Sequence, residues 1–172
     1  MNLIAKVVIS SAATLSVTGC NHIGPIHAYA ITSKSMEPTI NEGDKVLVDE
    51  SYYSNHPMED GALVVFRHNE YILIKRVIAL AGETVESREG VLVRNGHTLN
   101  EPYARHTGDP SPAMQTFPAR VVPPGELFVT GDNRDFSLDS RLPEFGIVHP
   151  TDVLGTPTLV TSNHGFTSRR LQ

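Results

Sequence analysis

Val91-Leu92-Val93-Arg94-Asn95-Gly96 is the stretch that decides the fold class. Aliphatic residues of high strand propensity run into Asn-Gly, the pair best able to hold positive φ at both central positions of a type I′ turn. That combination predicts a tight β-hairpin. Other short apolar runs lie on either side, each bounded by turn residues. They are Lys45-Val46-Leu47-Val48 after Gly43-Asp44, Leu63-Val64-Val65-Phe66 after Gly61, Tyr71 to Leu80 before Gly82, Leu127-Phe128-Val129 after Pro123-Pro124-Gly125, and Thr158-Leu159-Val160. No stretch keeps a 3.6-residue apolar period over a useful length. Twelve prolines and thirteen glycines spread among such runs predict a mostly β chain, with antiparallel β-sheets forming a sandwich or a partly open barrel. A short hydrophobic segment precedes it. One folded unit is expected over 31–161, after a signal or anchor segment and tether over 1–30 and before a polar, frayed tail over 162–172. Thr98 to Arg120, with four prolines and few aliphatics, is expected to be a long surface loop.

The chain's 172 residues suffice for one domain of ordinary size. A net charge of −5 opposes the broad basic footprint that phosphate neutralisation requires, so no nucleic-acid partner is expected. Cys20 is the single cysteine, which excludes an internal disulfide and a thiolate cluster. The eight histidines are scattered, and neither a metal nor a cofactor is expected. A monomer is the expected state.

At the N-terminus Lys6 precedes an apolar run from Val7 to Val17 diluted by serine and threonine. The run is short of the roughly 20 residues a transmembrane helix needs and fits the h-region of a secretory signal. Val17-Thr18-Gly19-Cys20 resembles a bacterial lipobox, which would make Cys20 the lipidation site. An uncleaved anchor helix extended through Ile4 and Ala5 is the other reading. Either would export the domain and leave it tethered to membrane lipid.

Three segments carry chemistry. Ser33-Lys34-Ser35-Met36-Glu37-Pro38-Thr39 offers hydroxyls next to a proline that fixes φ, and it is expected to run extended until the chain turns at Asn41-Glu42-Gly43-Asp44. A serine is a weak nucleophile until a neighbouring base takes its proton. Lys75 is the candidate base. In a strand it shares a face with Tyr71, Leu73, Val77 and Ala79, whereas Arg76 faces away with Ile74 and Ile78. Burial on that face would lower the ammonium pKa toward a useful range; an ammonium snorkelled to solvent at a sheet edge is equally compatible with the strand. The third segment, Gly131 to Arg141, is dense in charge and hydroxyls directly after an apolar strand. It lacks the regular oxygen alternation of a cation loop.

In order along the chain, Ser35-Met36-Glu37-Pro38-Thr39, Gly43-Asp44-Lys45-Val46-Leu47-Val48, Lys75-Arg76-Val77-Ile78-Ala79-Leu80-Ala81-Gly82-Glu83 and the Gly131 to Arg141 segment resemble successive signature boxes of bacterial type I signal peptidases. The resemblance covers most of residues 29–155. It implies a serine endopeptidase on the extracytoplasmic side of the cell membrane, with Ser35 as nucleophile and Lys75 as general base. It further implies an oxyanion hole from the Ser33 hydroxyl and the Ser35 backbone N–H, with Ser137 orienting the lysine. Asp132 would pair with Arg76, and Asp139 with Arg141. The implied substrates are exported preproteins with small residues at the first and third positions before the cut, and Ile31, Met36 and Ile74 are the candidates for lining the matching pockets.

Several features depart from the pattern. Lys34 stands where many relatives have glycine, Thr32 where proline is frequent, and Leu142-Pro143-Glu144 lengthens the link to Phe145-Gly146. The stretch between Lys75 and Gly131 is short, so the large accessory β-domain of some relatives is mostly lacking. A conjugation- or pilus-type peptidase of the same dyad class is the alternative enzyme. A repressor-type Ser/Lys protease would need a DNA-binding helical domain. A non-enzymatic envelope lipoprotein is the alternative of another class, and it would not require Ser35, Lys75 and Ser137 together.

Overall fold

Asn95 and Gly96 both take positive φ, 51° and 79°, and close a two-residue turn in which Arg94 pairs with His97. The hairpin expected at that point is present. The structure, a computed structural model, describes residues 8–9, 25–108, 111–162 and 168–171. In chain order the strands are β1 (Val8–Ile9), β2 (Ile26–Ala30), β3 (Lys45–Asp49), β4 (Leu63–His68), β5 (Tyr71–Ala79), β6 (Thr84–Arg88), β7 (Val91–Arg94), β8 (His97–Thr98), β9 (Phe117–Val121), β10 (Phe128–Thr130), β11 (Val153–Thr161) and β12 (Ser168–Arg170). The larger sheet runs β1-β2-β3-β11-β4-β5-β10, with β12 also on β11, and the smaller runs β8-β7-β6-β9. Every pairing between these strands is antiparallel, as the short valine-rich runs and tight turns predict.

β5 is the spine. It is buried from Ile72 through Ala79, and its alternation divides the core. Ile72 and Ile74 enter a cluster with Tyr29, Met36, Ile40 and Val48. Leu73 and Val77 enter a second with Phe66, Leu127 and Val129. At its end Ile78 and Ala79 join Val85, Leu92, Phe117 and Phe128 in a third, which binds the small sheet to the large one. Each fully buried aliphatic of this kind contributes about 1.5–3 kcal/mol.

Four expectations are corrected. Residues 98–120 are not a continuous surface loop: a short helix (Pro112–Gln115) and strand β9 occupy their second half. Met114 and Phe117 supply the buried anchors. Pro118 is tolerated because β9 lies at the edge of its sheet, where a missing N–H breaks no ladder. The tail is not wholly frayed, since β12 pairs with β11 and Leu171 packs on the first core cluster; 163–167 lie outside the described residues. Ile26–Ala30, placed in the tether by its sequence, is a sheet strand in full register with β3, and Tyr29 is buried within it. Within the expected h-region, Val8 and Ile9 pair with Ala30 and Tyr29. Cys20 and its lipobox-like context lie outside the described residues. Finally, the serine segment is extended only to Ser33. From Lys34 it turns, with Glu37 N–H donating to the Lys34 carbonyl and Ile40 N–H to that of Met36, because Met36 and Ile40 go into the core. Among the described residues no helix is long and apolar enough to cross a membrane.

Candidate active site

Ile31 is fixed by two backbone bonds, its N–H donating to Asp44 O and its carbonyl accepting from Gly43 N–H, both 2.8 Å. The turn that follows delivers Ser35 to the face of β5 that carries Lys75. Lys75 is 2% exposed, so the snorkelled alternative does not hold, and its Nζ donates to Ser35 Oγ at 2.8 Å. Burial pushes the ammonium down to about 8; Arg141 adds to the fall, while Asp139 and Asp132 oppose it. A lysine in that range is partly neutral near physiological pH and able to accept a hydroxyl proton. Ser33 Oγ lies 3.3 Å from Ser35 Oγ.

The Gly131 to Arg141 segment packs on the other side of Ser35. Asn133 N–H donates to the Ser35 carbonyl at 3.0 Å. At Gly131 a Cβ would overlap the Ser35 carbonyl and the Ser137 side chain, so only glycine allows the two segments to meet this closely. Gly131 N–H donates to Asp139, and Arg141 holds the same carboxylate through Nε and Nη2 at 2.8 and 2.9 Å. Burial works most strongly to raise the Asp139 carboxyl, but the Arg141 guanidinium, together with Ser137 and Lys75, outweighs it and the net direction is down. Asp139 is therefore an anion buried within reach of the Lys75 field. Ser137 is buried beside it and helps hold that carboxyl low, yet its Oγ makes no hydrogen bond of normal geometry and none to Lys75. Arg76, on the opposite face of β5, grips Asp132 at 2.8 and 2.7 Å, and Asp132 also accepts from the Thr39 hydroxyl.

Sequence reasoning missed the strap that covers this loop. Glu101 accepts both Nη groups of Arg134 at 2.7 Å and the Tyr103 hydroxyl at 2.9 Å, and Arg134 Nε donates to the Gly131 carbonyl. The Tyr103 ring lies 3.9 Å beneath the Arg76 guanidinium, and Arg105 exchanges backbone bonds with Asp132 and Arg134. Only the charge of Arg134 in a strand-end loop hinted at a partner. Nothing local marked Glu101.

Ile31, Met36 and Ile74, expected to line substrate pockets, meet with Ser33 and Ser35 around a pocket of about 20 Å³. A wider cleft of about 170 Å³ opens on the other side of Ser35, lined by Lys75, Leu73 and Phe145 among others. Among the described residues no cluster of His, Cys, Asp or Glu is placed to hold a metal ion.

This serine–lysine pair and its braces coincide with a family match. The family model described as "Signal peptidase, peptidase S26" matches residues 4–161. The chain belongs to the signal peptidase S26 family. A probable signal peptidase I-1 from Synechocystis sp. is 37% identical over 135 residues, 73% of this chain and 65% of that protein. The signal peptidase I V of Bacillus subtilis is 35% identical over 74% of this chain and 80% of its own length. The chain thus spans just under two thirds of the first relative. The crystal structure of a signal peptidase I from Enterococcus faecalis superposes with a TM-score of 0.50 at 34% identity, covering 59% of this chain and 97% of that one. A mostly antiparallel β architecture is common to this signal peptidase fold and the present chain.

Proposed function

We propose that this chain is a type I signal peptidase, a membrane-tethered serine endopeptidase that removes signal peptides from exported preproteins. The observation that carries the reading is the 2.8 Å bond between Lys75 Nζ and Ser35 Oγ at a lysine shut off from water. Neutral Lys75 takes the Ser35 proton as Oγ attacks the scissile carbonyl, and the Ser35 N–H and Ser33 hydroxyl stabilise the oxyanion. The lysine then gives its proton to the leaving amine, and after that fragment departs it activates water against the acyl-enzyme. Asp139 and Arg141 brace the loop that packs beside the lysine, and Arg76 with Asp132 braces the strand from behind. The 20 Å³ pocket of Ile31, Met36 and Ile74 has room for about one water molecule, which suits an alanine methyl before the cut. Cys20 anchors the chain by its lipid, holding the domain on the extracytoplasmic face. The pilus-type peptidase and the non-enzymatic lipoprotein find no support in the matched relatives, whose names are those of signal peptidases.

The test is cleavage of a preprotein peptide, with alanine at the first and third positions before the cut, by the detergent-solubilised full chain. Ser35→Ala and Lys75→Arg are expected to lose at least ~10⁴ in kcat with the fold intact, since nucleophile and base act as one unit and a guanidinium does not deprotonate. Substantial activity in either purified variant would overturn the mechanism.

A further inference from the structure

Ser35 stands between two clefts of unlike size, and the position of Lys75 tells them apart. The 20 Å³ pocket includes Ser33, whereas Lys75 belongs to the 170 Å³ cleft. The proton that leaves Ser35 Oγ must travel through Lys75 Nζ to the amine released when the C–N bond breaks and the acyl–oxygen bond has formed. The leaving amine therefore lies on the lysine side, and the chain after the cut departs through the wide cleft. Its walls are mostly apolar, with Tyr71 and Leu73 from β5, Leu138 and Leu142 from the loop, and Phe145 stacked on His68 at 4.2 Å; Asn69 and Glu144 are the polar exceptions beyond the catalytic pair. One of these, Leu142, belongs to the lengthened link after Arg141, and Phe145 stands at its end.

We propose that this cleft is the subsite for the first residue after the cut, and that it selects a branched or aromatic apolar side chain there. The inference rests on the peptidase reading above and deepens it. The volume is several times that of the pocket offered to the residue before the cut, so the enzyme reads small on one side of the bond and large on the other. Specificity from an apolar pocket of this kind is worth roughly 10–200-fold per fitted group.

The experiment measures kcat/KM of the full chain on peptides identical except for alanine, leucine, phenylalanine or aspartate directly after the cut. A control series varies the second residue before it. Leucine or phenylalanine is expected to exceed alanine by at least ~10-fold. Leu138→Trp, which fills the cleft, should bring that ratio close to one, and Leu138→Ala should move the optimum from leucine toward phenylalanine. Leu138 is half-buried, so both variants keep the fold. Equal rates for all four peptides would overturn the subsite while leaving the peptidase reading intact. A preference that follows the control series would assign the cleft to the other side of the bond and overturn it as well. Failure to cut any peptide would remove both readings together.

Discussion

Lys75 is held against its own solvation. In the unfolded chain its ammonium has the ordinary pKa of 10.5, and in the folded one burial brings it to about 8. Because the folded value is the lower, the folded state binds the proton less tightly. The penalty is complete below pH 8, is relieved as pH rises from 8 to 10.5, and is absent above. A gap of that size corresponds to about 3 kcal/mol. Lys75→Met should therefore be more stable than the wild type at pH 7 by about 1–3 kcal/mol, and the difference should shrink steadily as the pH rises from 8 toward 10.5. Urea unfolding at several pH values measures this, and a variant weaker at pH 7 would count against a destabilising lysine. Activity should follow the same group, rising through pH 8 to a plateau in kcat/KM. A profile flat between pH 6 and 9 would exclude Lys75 as the base.

At the scale of elements, β5 carries Lys75 on one face and Arg76 on the other, and the strap at 101–107 secures the loop that both touch. Arg134 is 1% exposed, so its charge depends on Glu101. Removing one partner of a buried pair typically costs about 3–5 kcal/mol. Glu101→Ala should lose about that much in denaturant unfolding, and kcat should fall because Arg134 Nε also fixes the Gly131 carbonyl. A loss below ~1 kcal/mol would show the strap to be an ornament of the surface. The strap also marks where sequence legibility ended. The hairpin at Asn95-Gly96 was readable because its determinants are adjacent residues. Ser35, Lys75 and the Asp139–Arg141 pair could be placed because each sits in a dense local motif. Glu101 could not, since its partner lies 33 positions away, and 98–120 looked like a loop because one phenylalanine, not a periodic run, anchors β9. The turn at Ser35 was hidden for the same reason: the burial of Met36 and Ile40 that bends the chain is a tertiary demand.

For the whole molecule the decisive feature is the capture of Ile26–Ala30 by the sheet. Ala28-Tyr29-Ala30 has the small-x-small form expected of the proposed substrates, yet β2 pairs with β3 through Ala30, and Tyr29 lies in the core. The intact fold hides the sequence from every other copy. Under the proposed activity, a copy that opens would present it to folded neighbours for cleavage. Heat inactivation near the midpoint should accordingly accelerate with protein concentration and yield a fragment beginning at Ile31. The same treatment of Ser35→Ala should proceed at one rate at all concentrations without that fragment. Identical kinetics in the two proteins would refute the idea. Under the proposed activity, registry in one strand held between β1 and β3 would make survival of each molecule a census of its own folded population, in which the unfolded minority is consumed by the majority rather than returned to it.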